Sequence, residues 1–209
     1  MNILSFTDKY LNFNYLKSYL SFIKKYAICS IVILIISFIL GIMYSGDISY
    51  LMNMIMADMA DSMEIFGIAG FIDIFTHNLQ SDLIMIFGGV LFSIISIFGM
   101  FINGAMLGYV ATITPIFDFL LLIIPHGIFE IPSWILSLSA AFMITTLIIR
   151  LLSSLVSDEK TIKDEINDSK DLIEAIIVSI VLVVILLLIA GFIENFITGA
   201  LYQFIMSII

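Results

Sequence analysis

The sequence predicts an all-α integral membrane protein, a bundle of about five transmembrane helices. Apolar residues make up 62% of the 209-residue chain, well above the roughly 45–50% that is usual in soluble domains. Several apolar runs approach or exceed the ~18 residues that a membrane-spanning helix needs. All eight Lys and Arg residues lie in two short stretches, residues 9–25 and 150–170, as expected for the cytoplasmic ends of spans.

Residues 1–25 are predicted to form an interfacial segment before the first span. Lysines are interspersed there with Phe and Tyr, and basic and aromatic side chains together are typical of a helix at the level of the lipid headgroups. The first transmembrane helix is predicted over residues 26–44, ending at the polar sequence Ser45-Gly46-Asp47.

Residues 47–82 are predicted to form amphipathic helices on the extracytoplasmic side, too polar to span. They contain no Lys or Arg and six acids: Asp47, Asp58, Asp61, Glu64, Asp73 and Asp82. An apolar stripe recurs every four residues, at Leu51, Ile55, Met59 and Met63. Such a stripe packs on lipid or on neighbouring helices, or forms an adaptable surface for a protein partner.

The next apolar run, Leu83–Thr114, is too long for one untilted helix at 1.5 Å per residue. It is predicted to form two spans, residues 83–99 and 100–114. Gly104 and Gly108 make a G-x-x-x-G step, which allows two helix backbones to approach closely. Asn103 is the one strongly polar residue of the run, and it is predicted to hydrogen-bond across helices or to contact a ligand.

A broken helix is predicted at Pro125–Pro132, between two apolar runs. Both prolines lack the N–H that a continuous helix needs, and Gly127 adds backbone freedom between them. Broken backbone at membrane depth survives only where protein or a water-filled cavity surrounds it. The segment also carries His126 and Glu130, which are costly to bury in a bilayer and therefore expected to face a protein interior. The alternative is a solvated turn at the membrane surface.

The remaining chain is predicted to hold a span over 131–150, a charged cytoplasmic loop over 151–171, either solvated coil or a short surface helix, and a last span over 172–192. Because basic residues mark the cytoplasmic side, the N-terminus and this loop are both expected inside the cell, in a multi-pass protein of the plasma membrane. An odd number of crossings must then separate Asp82 from Arg150. Three spans satisfy this, and so does one tilted span followed by a re-entrant hairpin at Pro125–Pro132.

A polar centre inside the bundle is the candidate functional site. If the spans pack together, five side chains are expected to converge there: Asn78, Asn103, His126, Glu130 and Glu194. Polar groups at discontinuous helices form the sites of many transporters, although the same groups also hold bundles together. The sequence lacks H-E-x-x-H, a P-loop, G-x-G-x-x-G and G-x-S-x-G. It therefore predicts no enzyme, no catalytic residue, no metal site and no cofactor.

Four motifs, in this order, make the chain resemble the stage II sporulation protein M family over about residues 70–200. They are Phe75-Thr76-His77-Asn78, Asn103-Gly104 with Gly108, Pro125-His126-Gly127-x-x-Glu130 and Ala190-Gly191-Phe192-Ile193-Glu194. The namesake of the family acts in a membrane complex with cell-wall-degrading partners during engulfment in spore-forming bacteria. Since relatives also occur in organisms that make no spores, the resemblance implies a membrane scaffold or a transporter-like protein, and a role in sporulation does not transfer with the fold.

Two functions follow as expectations. The first is a membrane scaffold that docks envelope proteins through its acidic, Met-rich outer segment, and the alternative is a transporter or channel with a polar midplane site for a small solute. A cavity that reaches water and ends at Glu130 would favour transport, whereas a dry bundle would favour the scaffold. The lipid bilayer is a partner in either case and nucleic acid is not, while a homo-oligomer is left open.

Overall fold

The computed structural model describes residues 12–62, 67–156 and 161–208, and within these the chain is helical with no strand. The all-α prediction is therefore confirmed. The elements are α1 (Phe13–Met43), α2 (Ser45–Ser62), α3 (Ile68–Phe87), a 3₁₀ turn (Gly88–Leu91), α4 (Ile94–Ile113), α5 (Ile116–Val156), α6 (Ile162–Asp168), α7 (Lys170–Ile193), a π-helical turn (Glu194–Thr198) and α8 (Gly199–Met206).

Helix α1 contains most of the predicted interfacial segment. The Asn12 side chain caps it by accepting the backbone N–H of Asn14 at 2.9 Å. From there the helix continues into the predicted first span without interruption, so no helix boundary lies at residue 26. Its first turns are not free at a surface, because Tyr19 is buried with its hydroxyl 2.7 Å from that of Ser179 in α7. Residues 1–11 of the predicted segment lie outside the described residues.

In the described part of the chain, four helices are long and apolar enough to cross a membrane: Asn14–Met43, Ile94–Ile113, Ile116–Val156 and Lys170–Met206. The predicted span 83–99 is not one of them. Phe92 and Ser93 adopt left-handed backbone conformations, with φ of 53° and 60°, and they reverse the chain between α3 and α4. Helix α3 begins at Ile68, well before the boundary that the acidic residues suggested.

The predicted break at Pro125–Pro132 is also wrong, because both prolines lie inside the continuous helix α5. Each proline removes a single N–H donor, and the hydrogen bonds on either side hold the helix together within the packed bundle. At 41 residues, α5 is about 61 Å long at 1.5 Å per residue. Since the hydrocarbon core is roughly 30 Å thick, α5 must tilt strongly or extend beyond the membrane.

Helices α1 and α4 pack closely through small residues. A Cβ atom on Gly104 would overlap the hydroxyl of Ser37, and a Cβ on Gly108 would overlap the carbonyl of Phe38. A Cβ on Gly41 would likewise overlap the backbone of Ala105. Residue numbers rise together along this contact, so the two helices run in the same direction. The G-x-x-x-G step thus lies at a close helix–helix approach.

Helix α5 runs antiparallel to α1 and parallel to α3. Tyr26 of α1 donates a hydrogen bond from its hydroxyl to Thr146 at 3.3 Å, and the hydroxyl groups of Ser30 and Ser139 lie 3.2 Å apart. The turn after α3 contacts α5 through Thr145, which donates a hydrogen bond to the Gly89 carbonyl at 2.8 Å. Helices α1, α4 and α7 therefore run one way, and α3 and α5 the other. Although α3 follows the bundle direction, its polar stretch Thr76–Asp82 excludes it from the four candidate spans.

Helix α2 packs on the end of α4 with a different face from the predicted one. Met52 is 4% exposed against Ala105 and Tyr109, whereas Leu51 is 54% exposed. The Tyr109 hydroxyl donates to Asn53 at 2.9 Å. The apolar stripe that contacts the protein is thus offset by one residue from the predicted stripe, whose last two members, Met59 and Met63, have side chains outside the described set.

The charged stretch after α5 is largely helical. Helix α5 continues to Val156, and α6 begins with a capping box between Thr161 and Asp164. Helix α7 starts at Lys170 and continues through the π-helical turn into α8. The predicted loop 151–171 is therefore mostly helix, with residues 157–160 outside the described ranges.

The close approach of α1 and α4 predicts the effect of adding a methyl group. Gly104→Ala should lower the free energy of unfolding by about 1–3 kcal/mol, because the new Cβ has no room beside Ser37. Gly46→Ala in α2 is the matched control, since nothing lies within 4 Å of its Cβ position. It should be neutral or stabilise by up to about 1 kcal/mol. Thermal unfolding in detergent measures both, and equal stability of the two variants would contradict the close contact.

Candidate functional site

The five side chains of the predicted polar centre line one cavity of about 410 Å³. Asn78 comes from α3, Asn103 from α4, His126 and Glu130 from α5, and Glu194 from the first residue of the π-helical turn. Four different elements thus bring these residues together. His77, Ser81 and Trp134 also line the cavity, and the sequence analysis did not place them at the site.

Helix α5 supplies one wall because its helical geometry is unbroken. His126, Glu130 and Trp134 are each four residues apart and so lie on one face. Glu130 therefore lies inside a continuous helix and not at the N-terminus of a new one. His126 Nε2 lies 3.8 Å from Glu130 Oε2, longer than a hydrogen bond. His126 Nδ1 is buried and has no hydrogen-bond partner in the described part of the chain.

Helix α4 uses adjacent faces for packing and for the cavity. Successive residues of a helix point about 100° apart, so Asn103 lines the cavity while Gly104 lies against α1. Met106 and Val110 extend the Asn103 wall along the same helix. The close α1–α4 contact thereby determines the depth at which Asn103 meets the other polar side chains.

Glu194 is positioned by aromatic packing between α3 and the end of α7. The ring of Phe71 lies 6.5 Å from that of Phe192 and 6.3 Å from that of Phe196, between centroids, in the range where aromatic pairs attract. Asn195 donates a hydrogen bond to the Gly67 carbonyl at 2.9 Å. These contacts hold the π-helical turn against the start of α3 and direct Glu194 to the cavity.

The three remaining predicted positions in α5 have different surroundings. Gly127 is buried at the cavity wall, where a Cβ would meet only the side chains of Ile123 and Ile131 at 3.4 and 3.8 Å. Its neighbours therefore leave room for a methyl group, unlike those of Gly104. Pro125 and Pro132 are half-buried in the helix.

The cavity lining combines two carboxylates with a mostly apolar surface. Glu130 and Glu194 are the carboxylates, and among the described residues no Lys or Arg lines the cavity. Most other lining residues are apolar: Ile55, Ile102, Met106, Leu107, Val110, Ile123, Ile131 and Trp134. A volume of this size, with apolar walls and a few convergent polar groups, is typical of small-molecule sites. Among the described residues, no group of three or more His, Cys, Asp or Glu side chains could hold a metal ion.

Asp82 is the buried acid that the sequence analysis placed outside the membrane core. It is 1% exposed, and neither of its carboxylate oxygens has a hydrogen-bond partner among the described residues. The hydroxyl groups of Ser133 and Ser137 on α5 face it. The spacing Asn78-x-x-x-Asp82 was the available signal, because it puts both side chains on one face of a helix.

Substitution of Asp82 tests whether its charge stabilises the bundle. An ionised carboxylate without a partner is costly to bury, so Asp82→Asn should unfold at an equal or higher temperature in detergent. Asp82→Ala should lose about 1–3 kcal/mol of stability, because it leaves an unfilled space at a position that is only 1% exposed. Asp73→Asn, on the same helix but half-exposed, is the control and should have little effect. Equal damage from Asn and Ala at position 82 would show that the charge is required.

Comparison with known proteins agrees with the motifs. Neither curated proteins nor solved structures give a match. The sequence does match the family described as Stage II sporulation protein M over residues 30–199. That range includes every side chain assigned above to the polar centre, and it covers most of the chain. The protein therefore belongs to the Stage II sporulation protein M family.

Proposed function

We propose that this membrane protein is a transporter that binds a small solute in the polar cavity and passes it across the bilayer. The observation that carries the proposal is the convergence of Asn78, Asn103, His126, Glu130 and Glu194 on one cavity of about 410 Å³. A bundle that served only as a scaffold has no need of an acidic cavity, since carboxylates are costly at membrane depth. No catalytic step is part of the proposal.

The position of the cavity in the bundle supports access from the extracytoplasmic side. Asn103 adjoins Gly104, which contacts Ser37 near the end of α1, whereas the lysines of α1 lie in its first half. In α5, likewise, the cavity residues precede Arg150 by sixteen or more positions. By the positive-inside rule, the cavity lies in the half of the protein away from the cytoplasm, and the charged region around α6 is cytoplasmic in the plasma membrane.

Cysteine accessibility tests passage without knowledge of the solute. In a chain with Cys29 replaced by Ala, Asn103→Cys should react with a membrane-impermeant thiol reagent added to either side of reconstituted vesicles. Reaction should be faster from the side opposite α6, because alternating access exposes one site to both sides. Ser96→Cys is the matched control. It lies seven residues earlier on the same helix and is fully buried, so it should stay unlabelled.

Two outcomes would count against transport. Labelling of Asn103→Cys from one side alone would indicate a binding cavity without passage. No labelling from either side would indicate a closed cavity that water does not reach.

A scaffold that docks envelope proteins is the second candidate, and the surface of α2 favours it. Tyr50 is 78% exposed, Met54 55% and Leu51 54%, although α2 is not a candidate span. Large exposed apolar patches often mark interaction sites. Replacing Tyr50 and Met54 by Ser should reduce the mass of a complex isolated from native membranes if α2 docks a partner. An unchanged mass would remove this support for a scaffold.

A further inference from the structure

We propose that the solute is a small organic cation, a molecule with an ammonium group and an apolar body. This inference rests on the proposed function, because it names the class of ligand for the same cavity. The structure offers three independent observations: the charge of the lining, a buried histidine nitrogen without a partner, and an apolar, aromatic wall.

The charge of the lining selects a cation. Glu130 and Glu194 both line the cavity, and Glu130 is repelled by Glu194 and by the nearby Asp82. Their side chains have no Lys or Arg to pair with among the lining residues. A bound positive charge would offset this repulsion in a partly dehydrated site, where opposite charges attract more strongly than in water. An anion would add to the repulsion.

His126 supplies a second group that is ready for a ligand. The residue is 8% exposed, it lines the cavity, and its Nδ1 has no hydrogen-bond partner. Because the Glu130 carboxylate is an acceptor, its proximity to Nε2 favours the neutral tautomer that carries the proton on Nε2. Nδ1 is then an acceptor, which an ammonium N–H can satisfy. A buried acceptor without a partner is otherwise unfavourable.

The apolar part of the lining favours an organic molecule over a metal ion. Trp134 and the apolar side chains of α4 and α5 make up most of the lining. The face of a Trp ring attracts cations, and the apolar surface favours a hydrocarbon group. Metal ions instead need several oxygen, nitrogen or sulfur ligands, and no described cluster of His, Cys, Asp or Glu provides three. About 410 Å³ is also enough for a drug-sized molecule.

The protein carries its own probe for this ligand. Trp134 is the single Trp of the chain and lies at the cavity wall, so its fluorescence reports directly on binding there. The full-length protein in detergent is titrated with benzylammonium, with benzyl alcohol as a neutral molecule of similar shape, and with sodium and potassium chloride. Benzylammonium should change the Trp134 emission in a saturable way, at concentrations at least about tenfold below those of benzyl alcohol.

Conservative variants assign the binding to the carboxylates. Glu130→Gln and Glu194→Gln should each weaken benzylammonium binding by about tenfold or more, because a charge-assisted contact is lost. Glu165→Gln in α6, far from the cavity lining, is the matched control and should leave binding unchanged. Asn103→Asp adds a carboxylate to the lining and should tighten binding of the cation, a gain that misfolding cannot produce.

The outcomes separate this inference from the proposed function. Saturable binding of benzyl alcohol as tight as that of benzylammonium would overturn the proposal that the ligand is a cation. The proposal that the cavity binds a solute would remain. Competition by sodium or potassium ions at the same concentration as benzylammonium would overturn the proposal that the ligand is an organic cation. Unchanged affinity in both Gln variants and in Asn103→Asp would overturn the role of the carboxylates. No response of Trp134 to any probe, together with unlabelled Asn103→Cys, would overturn the cavity as a solute site.

Discussion

The cost of carboxylates inside an apolar bundle is the constraint on which this structure depends. Asp82, Glu130 and Glu194 come from three elements of the chain, and the structure gathers them in one region. Groups of this kind are destabilising when scattered through hydrocarbon, because each would need its own polar surroundings. When the carboxylates are gathered, one set of polar neighbours can surround all of them. These neighbours are the two Asn residues, the serine hydroxyls of α5 and His126.

Two packing features make this gathering possible. The unbroken α5 presents His126, Glu130 and Trp134 on a single face. The small residues of α1 and α4 bring these helices into backbone contact, so one face of α4 is used for packing and the next is available to the cavity. The aromatic cluster around Phe71 then places Glu194 at the same depth.

The arrangement also connects the two functions that are considered for this family member. The cavity lies among α3, α4, α5 and the π-helical turn, and Ile55 of α2 contributes to its lining. Helix α2 therefore has an apolar outer surface and an inner edge at the cavity. A protein that docked on α2 would contact a helix that borders the cavity, so docking and access to the proposed solute site need not be separate properties. The His126 Nδ1 has no hydrogen-bond partner among the described residues, and this feature and the apolar lining are compatible with either proposal.

The sequence alone determined the class of protein and the identity of the polar residues. Composition and apolar run length are sufficient for the membrane assignment, because the bilayer imposes a length and a polarity on any span. The cost of burying polar groups singled out Asn103, His126, Glu130 and Glu194 before any contact was known.

The tertiary structure determined the path of the backbone. Helix α5 continues through Pro125 and Pro132, whereas the chain reverses at Phe92 and Ser93, which are not helix-breaking residues. Local sequence preferences predicted a break at the two prolines and a continuous helix through Phe92 and Ser93. The structure differs because the packing of neighbouring helices outweighs a lost hydrogen bond or a strained turn residue. The burial of Asp82 was likewise a tertiary outcome, because its position in an acidic stretch gave no sign of the serines that face it from α5.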